Sequence, residues 1–272
     1  MPGDEFVHLH THSCYSLKDG VPSPEELVRG AAELGFHSLA LTDHDTLAGI
    51  PAFHKACKKY DIKPVTATEI SILSFRTRVA EVARFEDEKI FHATLLAENE
   101  KGFQNIVRLV NRVHQNAEKG TPAITFRDLE ESSEGLFFLT GCQNSELFHL
   151  LKTAHIEDTE EYLRRLVRIF GKSHVYFELT RTGEERERTI NGRMIQLANF
   201  LEAGIVATND VHYILPEDEA AYLCLCEKET LLEAGVGRPF GEILSDPEFT
   251  RHLATAHEMK QKFRSSTSAI EN

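Results

Sequence analysis

The strongest constraint on this chain is a recurring order of segments: short apolar runs rich in β-branched and aromatic residues alternate with helical patterns along its 272 residues. The runs are FVHLH (6–10), SLALT (38–42), KPVTA (63–67), FHATLLA (91–97), GLFFLT (135–140), VYFEL (175–179) and IVATN (205–209). Such alternation is the signature of βα units and a parallel sheet. Helices are expected over 46–60, 100–116, 144–152, 158–170 and 184–203. Another begins at Ser23-Pro24-Glu25-Glu26, which supplies an N-cap, a proline at the first helical position and a capping-box glutamate, and it stops at Gly35. Seven strands with helices between them predict an α/β barrel whose functional groups gather at the strand C-termini. An open doubly wound sheet satisfies the same periodicity.

Two stretches break the alternation. Residues 70–90, with the charge-rich RFEDEK, read as a hairpin-like excursion before the fourth strand. The tail after Ile214, containing GVGRPFGEILSDPEF, lacks a clear strand and either wraps the barrel or begins a linker. With no internal repeat or low-complexity segment, residues 1–272 read as a single domain. The net charge of −13 argues against coating nucleic acid through a general basic face, so any phosphate must be held locally. Cys14, Cys57, Cys142, Cys224 and Cys226 form an odd set without zinc-finger spacing or a preceding secretory signal, which fits a reducing cytoplasm. Apolar runs such as LFFL (136–139) are far too short for a membrane span.

Metal-binding residue types follow nearly every proposed strand. In HLHTHS (8–13), strand periodicity turns His8, His10 and His12 to one face; a purification tag would instead run consecutively, outside apolar patterning. Asp19 lies beyond that turn, TDHD (42–45) ends the second strand and Glu69 the third; Cys142, Arg181 and the Asp210/His212 pair follow the fifth, sixth and seventh. Imidazole, carboxylate and thiolate are ligand types for zinc, manganese and iron. His92 stands at the beginning of its strand, the wrong end in a simple parallel barrel, so pattern alone leaves it open. Asp43 could support its neighbour His44, and Arg181 could meet a substrate phosphate or form a salt bridge. The other cysteines read as buried small hydrophobes.

HLHTHS, LALTDHDTLAG, Glu69 of ATEISIL, FHATLLAENEKGFQNIVRLV, LTGC, FELTR and ATNDVHY, in that order, resemble the polymerase and histidinol phosphatase (PHP) domain in the version found at the N-terminus of the bacterial DNA polymerase III α subunit. The resemblance reaches to about residue 260. It implies a distorted seven-stranded (βα) TIM-like barrel with a trinuclear centre of divalent ions: zinc, manganese or iron. Carried over residue by residue, His10, His12, Glu69 and Asp210 hold one ion and carry the catalytic role. Glu69 bridges to a second ion held by His92 and Cys142, and Asp19, His44 and His212 hold the third. His8, where related phosphatases carry an aspartate, is left as a barrel-lining or supporting residue.

Three divalent ions against four anionic ligands leave a locally positive pocket in an acidic protein. A water activated by the ions serves as nucleophile, and no GxSxG or GxxxxGK[ST] motif suggests another. The expected activity is metal-dependent phosphoester hydrolysis, of the 3′-5′ exonuclease type that trims a DNA 3′ end, with polymerase domains in the same native chain as partners. Two alternatives are a non-catalytic structural module of the polymerase and a free-standing phosphatase of the histidinol phosphatase type.

Overall fold

A computed structural model describes residues 6–76, 90–182, 186–225, 251–264 and 269. The first helix is α1 (Pro24–Glu33), and its N-terminus is closed by the expected capping box: the Ser23 hydroxyl accepts the Glu26 N–H while Glu26 accepts the Ser23 N–H at 2.9 Å. Gly35 follows it at φ 81°. The buried face of α1, Leu27, Val28 and Ala31, joins one apolar cluster with Leu39 and Leu41 of β1 (Ser38–Leu41). The chain continues through α2 (Ile50–Tyr60), β2 (Lys63–Leu73), β3 (Ile90–Ala97), α3 (Glu100–Ala117), α4 (Phe126–Glu131), β4 (Leu136–Leu139), α5 (Glu146–Lys152), α6 (Ile156–Phe170), β5 (Val175–Thr180), α7 (Glu187–Leu201) and β6 (Gly204–Thr208). After these come α8 (Glu219–Leu225) and α9 (Ala256–Lys262). The short α4 lies outside the helices expected from sequence, although Thr125 and Asp128 form a capping box at its start. Among the described residues no helix is long and apolar enough to cross a membrane.

Among the described residues the strands form one curled sheet of six in sequence order, and a seven-stranded barrel is not confirmed. FVHLH is not a strand. It and the residue that follows make only isolated parallel bridges, His8 to Leu39 on one side and Thr11 to Val211 on the other, so an irregular segment spans the gap between the β1 side and the chain after β6. Of the alternation expected along HLHTHS, His10 and His12 converge, their Nε2 atoms 3.1 Å apart, while His8 departs. His8 packs its ring against Phe6 and Phe36, and its Nε2 lies 2.8 Å from the Ala254 carbonyl; burial lowers its pKa to about 4.

Strand direction supplies the second correction. β1 with β2, β4 with β5 and β5 with β6 pair in parallel, but β3 runs antiparallel to both β2 and β4. The start of β3 therefore lies beside the end of β2, with His92 opposite Ser71 and Thr94 opposite Glu69. The end that was wrong for His92 in a parallel barrel is the right one here. β2 also continues to Leu73, so the first residues of the expected excursion are strand; residues 77–89 lie outside the described residues, as do GVGRPFGEILSDPEF and Cys226. Cys57 is buried as expected, whereas Cys14, in a turn, and Cys224, on the short α8, are exposed.

Period-two alternation divides the sheet into an outer apolar face against the helices and an inner face that changes character along its length. At one end Ala67, Leu96, Leu139 and Val206 form a small apolar cluster beside a cleft of about 600 Å³. Two residues further along their strands stand the buried polar groups Glu69, Thr94 and Thr208, with Glu178 two residues beyond Tyr176 of that cleft.

Buried Glu146 ties α5 to the exit of β2, accepting the Ser74 hydroxyl at 2.5 Å and the Phe75 N–H at 3.1 Å. Burial pushes its carboxyl up to about 7. A folded-state pKa above the unfolded value means stability that is complete below pH ~4.5 and lost as pH rises through 7. Glu146→Gln keeps the shape and an acceptor without the charge. It should gain on the order of 1–3 kcal/mol over the parent at pH 8 and almost nothing at pH 5. Urea titrations of both proteins at the two pH values measure this, and an equal difference at both would refute it.

Candidate metal centre

The polar end of the inner face collects side chains from seven segments. The segment 8–12 delivers His10 and His12, and the loop after it delivers Asp19. That loop is moored on Asp43, whose carboxylate accepts the Ser13 N–H at 2.7 Å, the Ser13 hydroxyl at 2.7 Å and the Ser16 hydroxyl at 2.8 Å. Gly20 closes the loop where any Cβ would stand 1.9 Å from the Ser13 carbonyl oxygen. His44 follows β1, Glu69 lies within β2 and His92 near the start of β3. Cys142 follows Gly141, which at φ 84° has room for no side chain against the His92 carbonyl. Asp210 and His212 follow β6, and Asp210 itself turns the chain at φ 50°.

Glu69 is the hub. Its Oε2 lies 3.2 Å from His10 Nε2, 3.3 Å from His12 Nε2 and 3.2 Å from His44 Nδ1, while Oε1 faces His92 Nδ1 at 3.4 Å and Cys142 Sγ at 3.7 Å. Asp210 Oδ1 approaches the same two imidazole nitrogens of His10 and His12 at 3.3 and 3.5 Å. On the far side Asp19 Oδ2 stands 2.8 Å from His44 Nε2 and 3.0 Å from His212 Nε2. All nine residues expected as ligands are thus brought to one place. Arg181 is not among them: its guanidinium donates to the Lys262 backbone carbonyl at 2.5 Å.

The outward hydrogen bonds decide which ring nitrogens face inward with lone pairs. His10 Nδ1–H donates to Glu178 at 2.6 Å, and Glu178 also accepts the Thr208 hydroxyl at 2.6 Å. Ser16, already donating to Asp43, accepts from His12 Nδ1 at 3.0 Å, and His212 Nδ1–H donates to the Asp210 carbonyl at 2.5 Å. The bare Nε2 atoms of His10 and His12 then confront each other at 3.1 Å, beside two carboxylates. Lone pairs and negative oxygens at these spacings repel unless a cation or a proton lies between them. His92 Nδ1 is buried with no hydrogen-bond partner. Four overlapping groups of three ligand atoms, each within 4.8 Å of one another, contain His10, His12, Asp19, His44, Glu69, His92, Asp210 and His212. This donor set fits divalent metal, and orientation of a ligating imidazole by a carboxylate behind it is the usual supporting arrangement.

Without metal, protons take the cation's place. Burial disfavours the charged form of His44, yet Glu69 and Asp19 outweigh it and lift the pKa to about 9. Burial also pushes the Cys142 thiol far up, with Asp210 and Glu69 acting in the same direction. Both groups therefore hold protons at pH 7 that ligation must displace. Zinc affinity should rise between pH 7 and 9 by roughly tenfold per pH unit for each displaced proton. Titration calorimetry in buffers of different ionisation enthalpy counts those protons; a pH-independent affinity would remove His44 and Cys142 from the ligand set.

Sequence reasoning did not single out two residues here. Glu178 lies in the FELTR stretch, and its alternation with Thr180 on β5 was a usable signal. Arg251, whose guanidinium donates to Asp210 Oδ2, sits in the tail and carried no pattern.

A family model for the PHP domain matches residues 8–182. DNA polymerase III subunit alpha of Treponema pallidum is 34% identical over 233 residues, which are 82% of this chain and 19% of that protein. The same subunit of Aquifex aeolicus is 31% identical over 241 residues, 86% of this chain and 21% of the relative. The chain thus spans about a fifth of the length of these curated relatives. Among solved structures, a Bifidobacterium adolescentis protein provisionally assigned as a metal-dependent phosphoesterase superposes with a TM-score of 0.52, covering 96% of this chain and 98% of its own. At 14% identity that likeness speaks to the fold alone.

Proposed function

The chain belongs to the PHP domain family, and from that premise we propose that it is a divalent-metal-dependent phosphoesterase acting on DNA 3′ ends in the setting of a replicative polymerase. The convergence on Glu69 carries the reading: imidazole and carboxylate atoms crowd together with their hydrogen-bonding protons turned outward. His10, His12, Glu69 and Asp210 would hold one ion, Glu69 with His92 and Cys142 a second, and Asp19, His44 and His212 a third. When bound, zinc, manganese or iron ions supply an activated water and neutralise charge on the phosphate. The chain's own part is to fix these ligands. Glu178 sets the orientation of His10, Asp43 moors the loop that carries Asp19, and the buried walls keep bulk water from the inner ligand atoms. The kinship with polymerase III α subunits supports the DNA substrate, a cytoplasmic site of action and further polymerase domains as partners.

The test is hydrolysis by chelator-stripped protein reloaded with zinc, manganese or iron, on labelled single-stranded DNA, a mispaired primer end and a small phosphomonoester. Release of 3′ nucleotides that vanishes with chelator is the expected result. Hydrolysis of the phosphomonoester alone would favour the small-molecule phosphatase, and no hydrolysis of any substrate by fully loaded protein would leave a structural module of the polymerase.

A further inference from the structure

Resting on the phosphoesterase reading above, we propose that Arg251 binds the substrate's phosphate beside the metal centre. Arg251 lies beyond the matched residues 8–182, and the six-stranded sheet does not include it. Its backbone is nonetheless locked to a proposed ligand: the Arg251 carbonyl accepts the His212 N–H at 2.8 Å, and the Arg251 N–H donates to the Tyr213 hydroxyl at 3.0 Å. The side chain is therefore carried on the same support as Asp210 and His212. One Nη1–H donates to Asp210 Oδ2, the carboxylate oxygen turned away from His10 and His12.

The other N–H groups of the guanidinium have no hydrogen-bond acceptor among the described residues, and 17% of the side chain remains accessible. A guanidinium presents five donors in a planar fork. One arm spent on Asp210 leaves further donors of the same planar fork, spaced to match two oxygens of a phosphate. Asp210 holds the fork in place before substrate arrives, so little side-chain freedom is lost on binding. Lysine could keep the charge near Asp210 but lacks the planar fork that meets two phosphate oxygens side by side. Arg181, the candidate from sequence, donates one N–H to the Lys262 carbonyl and, among the described residues, contacts no proposed ligand.

The full metal-loaded chain is titrated with inorganic phosphate by calorimetry, and its metal content is measured in parallel, for the parent, Arg251→Lys and Arg251→Met. Arg251→Lys should keep the parent's metal content and thermal midpoint while binding phosphate about tenfold more weakly, as expected for a lost contact to a charged group. Arg251→Met should bind it more weakly still. Phosphate affinity in Arg251→Lys equal to the parent's would overturn the proposal. So would a loss of phosphate binding that tracks loss of metal in both variants, which would make Arg251 a positioning residue for Asp210. If the loaded parent itself binds no phosphate, the phosphoesterase reading fails, and this proposal with it.

Discussion

Glu69→Ala should retain fewer ions than the parent by more than one equivalent, and its phosphoester hydrolysis should fall by roughly three orders of magnitude or more. The two oxygens of this carboxylate face different partners, Oε2 toward His10, His12 and His44 and Oε1 toward His92 and Cys142. Burial opposes its ionisation, but His44 and His10 outweigh burial and hold its pKa well below the ordinary range, so it stands as an anion in the middle of the cluster. Alanine removes the acceptor that these five ligand atoms share. Elemental analysis after gel filtration without chelator, together with turnover on the best substrate, checks the result. Loss of a single ion, or parental turnover, would mean that Glu69 serves one site or none.

Asp210→Asn should abolish hydrolysis and also lower the unfolding free energy by about 3 kcal/mol or more, the scale for removing one partner of a buried ion pair. The structural reason is Arg251: with Asp210 neutral, a mostly buried guanidinium loses its counter-charge. Backbone strain is not the source, because asparagine tolerates the left-handed φ of 50° at this position. Combining Asp210→Asn with Arg251→Met should recover part of the stability while the protein stays inactive. Denaturant titration of the metal-free single and double variants measures this coupling, and a single variant as stable as the parent would show that the pair contributes nothing to folding.

Much of the architecture was legible because local chemistry dictated it. The Ser23 capping box, Gly35 at the helix end and the apolar runs of β1 to β6 each follow from residues close in sequence. The reversal of β3 was not legible, since hydrophobic alternation has the same period in either direction. That is why sequence places His92 at the wrong end of a parallel strand, whereas the antiparallel β3 sets it opposite Ser71. The parting of His8 from His10 and His12 was hidden for a related reason: the period-two argument presumes a regular strand, and this segment makes only isolated bridges. Arg251 was invisible because its role depends on which part of the chain it lies against. The structure shows that part to be His212 and Tyr213, 38 residues before it in the second case.

The pairing of Asp19 with His212, 193 residues apart in the chain, also has a temporal meaning. During synthesis the first histidines leave the ribosome long before β6, Asp210 and His212 exist, and contacts so distant in sequence form late in folding. A nascent chain therefore carries a partial, histidine-rich part of the proposed ligand set, without Asp210 and His212 to complete it. If the cluster is the proposed metal centre, its ions are acquired after translation of the whole segment, and their identity reflects the ion pool that the finished fold meets.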